Sequence, residues 1–331
     1  MMRRREFITL LGGAAATASW PPAARAQQPK RVGVLMGGAG TEPASQSQLT
    51  IFAQGLRKLG WIEGQNLQME VRWSAADLDL GAAHAADLVG LFKPDVLLCQ
   101  ATVNLMALQR ATKTIPIVFI SIADPVGQGI VPNLTRPGSN ITGFSDPEFS
   151  IAGKWADLLK QMVPSIERIA VIFNPQTSPP SKLYLSAIEA AAPSVGVEAM
   201  AAPVLSTAEL EATLERLSHD RNVGLIFPTS AFTILRAKLI VETVARYRLP
   251  AIYPRDAYMA EGGLMQFSDD LSEQFRLAPF YVDRILKGTK PGDLPVHLPT
   301  KFKLIVNRKT ASALGIEVPL GILLAADEVI E

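Results

Sequence analysis

The chain has 331 residues, 48% hydrophobic and 19% charged, with a net charge of +1. That balance excludes a disordered chain. The near-neutral charge, with no Lys/Arg cluster on a predicted helix face, gives no case for nucleic acid. The single cysteine, Cys99, excludes an intrachain disulfide and a cysteine metal cluster.

At roughly 100–200 residues per domain the length suggests two domains. The first 26 residues stand apart from both. They have a basic start, a modestly apolar middle and a small-x-small end at Ala24-Arg25-Ala26, the plan of a secretory signal. The apolar part runs from Phe7 to Trp20 and falls short of the ~20 residues that a membrane-spanning helix needs. Arg4-Arg5 with a Gly/Ala-rich core points to twin-arginine export, while Arg3 and Thr9 leave the ordinary secretory route open. Cleavage is expected after Ala26, which makes the mature protein periplasmic. It also removes four of the 32 basic and one of the 31 acidic residues, leaving a net charge of −2.

Beyond residue 26, short apolar runs alternate with longer amphipathic ones. RVGVLM (31–36) reads as a buried strand, followed by Leu49, Phe52, Ala53 and Leu56 at helical spacing. LQMEVRW (67–73) alternates as a strand, and Leu80, His84, Leu88 and Leu91 mark the next helix. DVLLC (95–99) and IVFIS (117–121) are strands around a helix over 102–112, and NITGF (140–144) closes the series. The rhythm then restarts at ERIAVIFNP (167–175), with further strands at VGLIFPTS (223–230) and LPAIY (249–253). Helices fall over about 181–192, 208–218 and 231–247. GGLMQFSDD (262–270) reads as a return strand before a long helix, 271–287, and 287–295 as a third crossing or a surface loop. Strand and helix alternating in two series argue for two parallel sheets covered on both faces.

Open α/β sheets bind ligands beyond the carboxyl ends of their strands. That rule nominates Gly37-Gly38, Ala101-Thr102 and Ser121 to Asp124 in the first series. In the second it nominates Asn174-Pro175, Thr229-Ser230 and Tyr253. Thr102 falls at a helix N-terminus, where free N–H groups favour an anion such as a carboxylate, or where it is a plain N-cap. Asp124 either accepts hydrogen bonds from an ammonium or caps a helix starting at Pro125. Phe144 and Tyr253 either stack on a ligand or pack the hinge. Asn174 and Thr229 offer polar contacts from the opposite lobe, although Asn-Pro is also an ordinary turn pair. Of three histidines, His84 reads as packing, His219 as solvated and His297 as part of a linker. No G-x-S-x-G elbow, H-E-x-x-H zinc site or G-x-x-x-x-G-K-[ST] phosphate loop is present.

Several stretches carry a family likeness. They are GLRKLGWIEGQNLQMEVRW (55–73), ATKTIPIVFISIADPVGQGIV (111–131), RPGSNITGFS (136–145), LPAIYPRDAYMAEGGLM (249–265) and 281–319. Together they resemble the tryptophan/tyrosine-type group of ABC-transporter substrate-binding proteins, among the type I periplasmic binding proteins. The resemblance implies two Rossmann-like α/β lobes with parallel sheets, joined by a multi-strand hinge. It implies no catalysis and no cofactor, but closure on a small ligand and delivery to an ABC permease in the inner membrane. On this reading lobe I is 27–143 plus about 268–292, and lobe II is 146–265 plus about 297–331. The strand pattern alone does not assign 301–331 to a sheet.

The expected ligand contacts are Gly38, Thr102, Ser121, Asp124, Phe144, Asn174, Thr229 and Tyr253 in a monomer. The ligand is expected to be a small organic solute such as an amino acid or an aromatic compound. The chain departs from the group at 103–105 and in the loop 37–46, so the resemblance does not carry the ligand with it. Two alternatives are a secreted hydrolase using Asp124 with Ser121 or Asp146, and a sensory module presenting its liganded surface to a membrane receptor.

Overall fold

The computed structural model describes residues 28–147, 149, 151–220 and 222–331. The expected export signal and its cleavage site lie outside them. The first half runs β1 (Lys30–Met36), α1 (Pro43–Lys58), β2 (Leu67–Trp73), α2 (Leu78–Asp87), β3 (Val96–Gln100), α3 (Thr102–Ala111), β4 (Ile117–Ala123) and β5 (Ile141–Asp146). It continues with α4 (Ile151–Met162), β6 (Arg168–Phe173), α5 (Ser181–Val195), β7 (Glu198–Pro203), α6 (Thr207–Ser218) and β8 (Val223–Ile226). Then follow α7 (Ala231–Ile234), α8 (Ala237–Arg246), β9 (Ala251–Tyr253), α9 (Asp256–Ala260), β10 (Met265–Asp269) and α10 (Leu271–Leu286). The chain closes with β11 (Phe302–Asn307), α11 (Arg308–Leu314), α12 (Leu320–Ala325) and β12 (Glu328–Ile330).

Two sheets result, ordered β2-β1-β3-β4-β5 and β12-β11-β10-β9-β8-β6-β7. The first is parallel throughout. The second is parallel except where β11 runs against β10. Topology requires that exception. β10 leaves the second sheet toward α10, which packs on α1 over the first sheet. β11 returns from that side, so it enters the sheet at the end through which β10 left. Residues 302–330 thus form the edge of the second sheet. The segment before β11 is a crossing rather than a free loop: His297 N donates to the Gly143 carbonyl and Ser145 N to the His297 carbonyl, at 2.9 Å each.

Each sheet is covered on both faces, as parallel strands with no solvated side require. On the first sheet, Phe52 and Leu56 of α1 meet Phe275 and Val282 of α10 over one face. Ala85, Leu88, Leu105 and Leu108 cover the other. On the second, α4 and α5 bury Trp155, Leu159, Tyr184 and Ile188 on one face. Leu210, Leu214, Ile240 and Val244 lie on the other.

Three local expectations change. The buried stripe of the second helix is Gly81, Ala85, Leu88 and Phe92, while Leu91 is 77% exposed. The helix gives way to a π turn over Leu88–Phe92, which rotates the later side chains off the expected face. The helix expected over 231–247 breaks into α7 and α8. The Arg236 side chain takes the Phe232 carbonyl, and the Arg236 amide falls back on Thr233. No helix starts at Pro125: residues 125–131 form turns, with Gly129 at φ +69°.

Gly143 in β5 sits at φ +155°, where a Cβ would lie 2.6 Å from the Phe119 amide nitrogen of β4 and closer still to its carbonyl oxygen. A Gly143→Ala variant is therefore expected to lose roughly 2–4 kcal/mol of unfolding free energy in urea titration, because backbone, not a movable side chain, fills the space. Wild-type stability in that variant would show that β4 and β5 can separate without cost.

Candidate functional site

The carboxyl ends of the parallel strands in both sheets converge on one interlobe cleft of about 520 Å³. The first lobe contributes Gly37 and Gly38 after β1, Ala101 and Thr102 after β3, and Ser121 in β4. The second contributes Thr177 and Ser178 after β6, Thr229 and Ser230 after β8, Arg255 after β9, and Tyr184 of α5. Hydroxyls and small side chains dominate the walls, leaving ligand-sized space and hydrogen-bonding atoms along it.

Left-handed backbone occurs at Ala101 just after β3, at φ +78°, at Ser121 within β4, at φ +58°, and at Asp124 just after β4, at φ +37°. Such conformations cost of order 1–3 kcal/mol each and persist only where their surroundings enforce them. At Ser121 the enforcement is visible. The β4–β5 register slips between Ile120 and Ile122. The freed Ser121 amide donates to Gln274 Oε1 at 2.9 Å. The hydroxyl turns inward and donates to Asp146, 2.8 Å from Oδ1 and 2.9 Å from Oδ2.

Asp146 is the last residue of β5, and Asp269 the last of β10, the strands from which the chain first and next passes between lobes. Arg255 ties them together. Its Nη1 donates to Asp269 Oδ1 at 2.8 Å and its Nη2 to Asp146 Oδ1 at 2.6 Å. Nη2 also reaches Ser121 Oγ at 3.2 Å. Gln274 of α10 completes the set, donating to Asp269 Oδ2 at 2.9 Å and to the Ser145 carbonyl at 3.3 Å. Arg255 is 6% exposed, Asp146 2% and Asp269 5%, so water screens none of these charges effectively. Burial pushes the Asp146 carboxyl up, and neighbouring Asp269 adds to this, against the pull of Arg255. Burial pulls the Arg255 guanidinium down, but Asp146 and Asp269 outweigh it and hold the guanidinium above its ordinary range.

The expected contacts divide. Gly38, Thr102, Ser121 and Thr229 line the cleft together. Asp124, Phe144, Asn174 and Tyr253 are not among the residues lining it. Asp124 Oδ1 accepts from the Gly127 amide at 2.8 Å and closes a turn. Phe144 is buried against Tyr281 and His297. Asn174 Oδ1 accepts from the amides of Gln176 and Thr177 at 2.9 and 3.0 Å, shaping the loop that presents Thr177. Tyr253 is stacked between Phe227 and Tyr258.

Sequence reasoning missed Arg255, Asp269 and Gln274, and met Asp146 only as a catalytic alternative. Arg255 carries a strand-end signal, since it lies two residues beyond Tyr253, the last residue of the short strand β9. For the hydrolase alternative, Ser121 does bond Asp146. That carboxylate is already held by Arg255, however, and no histidine lines the cleft. Among the described residues no helix is long and apolar enough to cross a membrane.

The family model for ABC transporter substrate binding proteins matches residues 41–330. A tyrosine-binding protein of Clostridioides difficile is 24% identical over 266 residues, 80% of this chain and 76% of that protein. A conserved domain protein of Vibrio cholerae superposes with a TM-score of 0.84 at 26% identity, covering 91% of this chain and 100% of that one. An ABC domain from Streptococcus pneumoniae, solved in complex with L-Trp, superposes with a TM-score of 0.81 at 25% identity, covering 90% and 100%.

An Arg255→Met variant leaves two carboxylates buried without their cation. It is expected to lose about 3–5 kcal/mol at pH 7. Burial already raises the Asp146 carboxyl, and losing the Arg255 charge removes the pull against it, so the folded state binds more protons and its stability falls as pH rises from about 4. The gap from wild type, read from urea unfolding, should therefore narrow toward pH 4. An equal gap at both pH values would mean that lost packing, not lost charge, sets the cost.

Proposed function

The chain belongs to the ABC transporter substrate-binding protein family, and from that premise we propose that it is the exported solute-capturing component of an ABC import system. It takes a small organic ligand into the interlobe cleft and hands it to a permease in the inner membrane. The observation that carries this reading is the cleft itself. Strand ends from two separate sheets face one ligand-sized space, and the walls offer hydroxyls and apolar side chains but no histidine. Such a site can hold a solute from both sides, and contacts with both lobes select the closed state over the open one.

Gly38, Thr102, Ser121 and Thr229 are the proposed contacts among those expected from sequence. Asp124, Phe144, Asn174 and Tyr253 are given supporting roles, since their side chains are engaged away from the cleft. Residues 1–26 are proposed to direct export and to be removed after Ala26, and the protein is proposed to act as a monomer in the periplasm.

Two measurements check this. In a thermal-shift screen of the mature protein against amino acids, amines and aromatic acids, a ligand at a hundred times its Kd should stabilise by about 2.7 kcal/mol. Thr102→Val should weaken binding of that ligand by about two- to tenfold, the worth of one neutral hydrogen bond. Silence across the whole screen would remove the transport reading for such solutes. Separately, intact mass of the protein recovered from a periplasmic extract should correspond to a chain beginning at Gln27. Retention of residues 1–26 in the cytoplasm would overturn the export reading.

A further inference from the structure

The cleft's charges are unbalanced in a way that bears on its ligand. Four carboxylates line it, from Glu42, Asp146, Asp256 and Glu261, against two cations, Arg255 and Lys238. Arg255 engages Asp146 and Asp269 through its Nη groups, and its buried Nε has no acceptor among the described residues. Lys238 is exposed on α8. Asp256 accepts from Gln266 Nε2 at 2.6 Å. Glu42 is different. It occupies the N-cap position of α1, yet its side chain makes no cap hydrogen bond there. Its carboxylate instead folds back over Gly38 and accepts from Ser45 Oγ at 3.0 Å. A Cβ on Gly38 would stand 2.9 Å from Glu42 Oε2, so the glycine makes the room in which that carboxylate lies. No lysine, arginine or histidine among the described residues comes within ion-pair distance of it.

A half-buried carboxylate, held in place and lacking a cation, lacks the partner that such a group needs. A second observation points the same way. Thr102, which opens α3 beside the neighbouring loop of the same wall, is 7% exposed and its hydroxyl makes no hydrogen bond with described residues. The loops are in contact: a Cβ on Gly37 would lie 3.2 Å from that of Ala101. The cleft also offers an aromatic ligand no open ring face among the described residues. Tyr184 is its one aromatic lining residue among those described, and its ring is already packed edge-on to Phe149 at 4.7 Å and against Trp155 at 5.5 Å.

We propose that Glu42 binds the ammonium group of the ligand, so that this protein selects primary amines, with a carboxylate on the ligand dispensable and an aromatic ring not required. The inference rests on the solute-capturing role proposed above. The free carboxylate supplies charge-assisted hydrogen bonds to the ammonium, and the Thr102 hydroxyl accepts a further N–H. A ligand without the amine would place its own charge or polarity against an uncompensated carboxylate, which makes the selection repulsive as well as attractive.

The test uses two matched sets of probes with the mature protein in titration calorimetry. One set is L-leucine, 3-methylbutylamine and 4-methylpentanoate; the other is L-tryptophan, tryptamine and 3-indolepropionate. Binding by L-leucine and 3-methylbutylamine, with 4-methylpentanoate at least tenfold weaker, is the expected result, and binding confined to the tryptophan set would overturn the claim that no aromatic ring is required. Glu42→Gln should weaken the amine at least about tenfold while its melting temperature stays within a few degrees of wild type. Gly38→Ala, whose methyl would press on the Glu42 carboxylate and Ser45 Oγ, should weaken it in the same direction. Tight binding of either acid, or undiminished amine binding by Glu42→Gln, would overturn the inference and leave the solute-capturing role intact. No binding by any of the six probes would count against that role and take the inference with it.

Discussion

The bridge of Arg255 between Asp146 and Asp269 is the constraint around which the two lobes are arranged. Both carboxylates stand on the last residues of strands that leave their sheets for the opposite lobe, and the cation comes from the second lobe alone. Ser121 and Gln274 then attach this cluster to the first lobe. A buried ion pair is weak evidence for net stability, because desolvating the ions cancels much of their attraction. Its value here is geometric. A guanidinium with two fixed carboxylates has few alternative places to sit, so the two crossing strands are held at one spacing where bare backbone would let them drift.

That spacing matters for motion. Lobe closure concentrates torsion in a few terminal residues of crossing elements while the packed lobes move as bodies. The third crossing is paired to β5 by backbone hydrogen bonds and by the contact of His297 with Phe144, which stiffens one side of the joint. The strained backbone at Ser121 lies on the other side and faces the cleft. Ligand in the cleft would therefore act within a residue or two of the bridge, with no long chain of contacts needed to connect binding to closure.

The sheets were legible because burial on both faces leaves its mark as apolar runs: every strand of the first sheet falls on a run the sequence offers. The antiparallel β10–β11 pair was not, since it follows from which lobe the chain returns from, a long-range matter that periodicity does not encode. Among the cleft residues, Thr102 and Thr229 were found because they follow strands directly. Arg255 and Asp269 were missed because a single charged residue at a strand end looks the same whether it meets solvent or a buried partner. Asn174 and Asp124 illustrate the converse. Both stand where a ligand contact is expected, but short polar side chains after a strand also serve the backbone amides just ahead of them, and here each does.

A shared frame does not by itself settle what the cleft accepts. A relative solved with L-Trp superposes over nine-tenths of this chain, yet at 25% identity most side chains facing the ligand are free to differ. Recognition of an indole needs an apolar slot or an open ring face, and the Tyr184 ring here is committed to Phe149 and Trp155. The half-buried Glu42 carboxylate and the Thr102 hydroxyl stand on the first lobe, while on the second Lys238 and Glu261 are in no ion pair and Arg255 Nε has no acceptor among the described residues. A charged group can be engaged by either lobe before the two meet, whereas hydrophobic contact on both sides develops only on closure. On the proposed reading, charge would be met first in the open cleft and shape tested afterwards, as the lobes meet over the ligand.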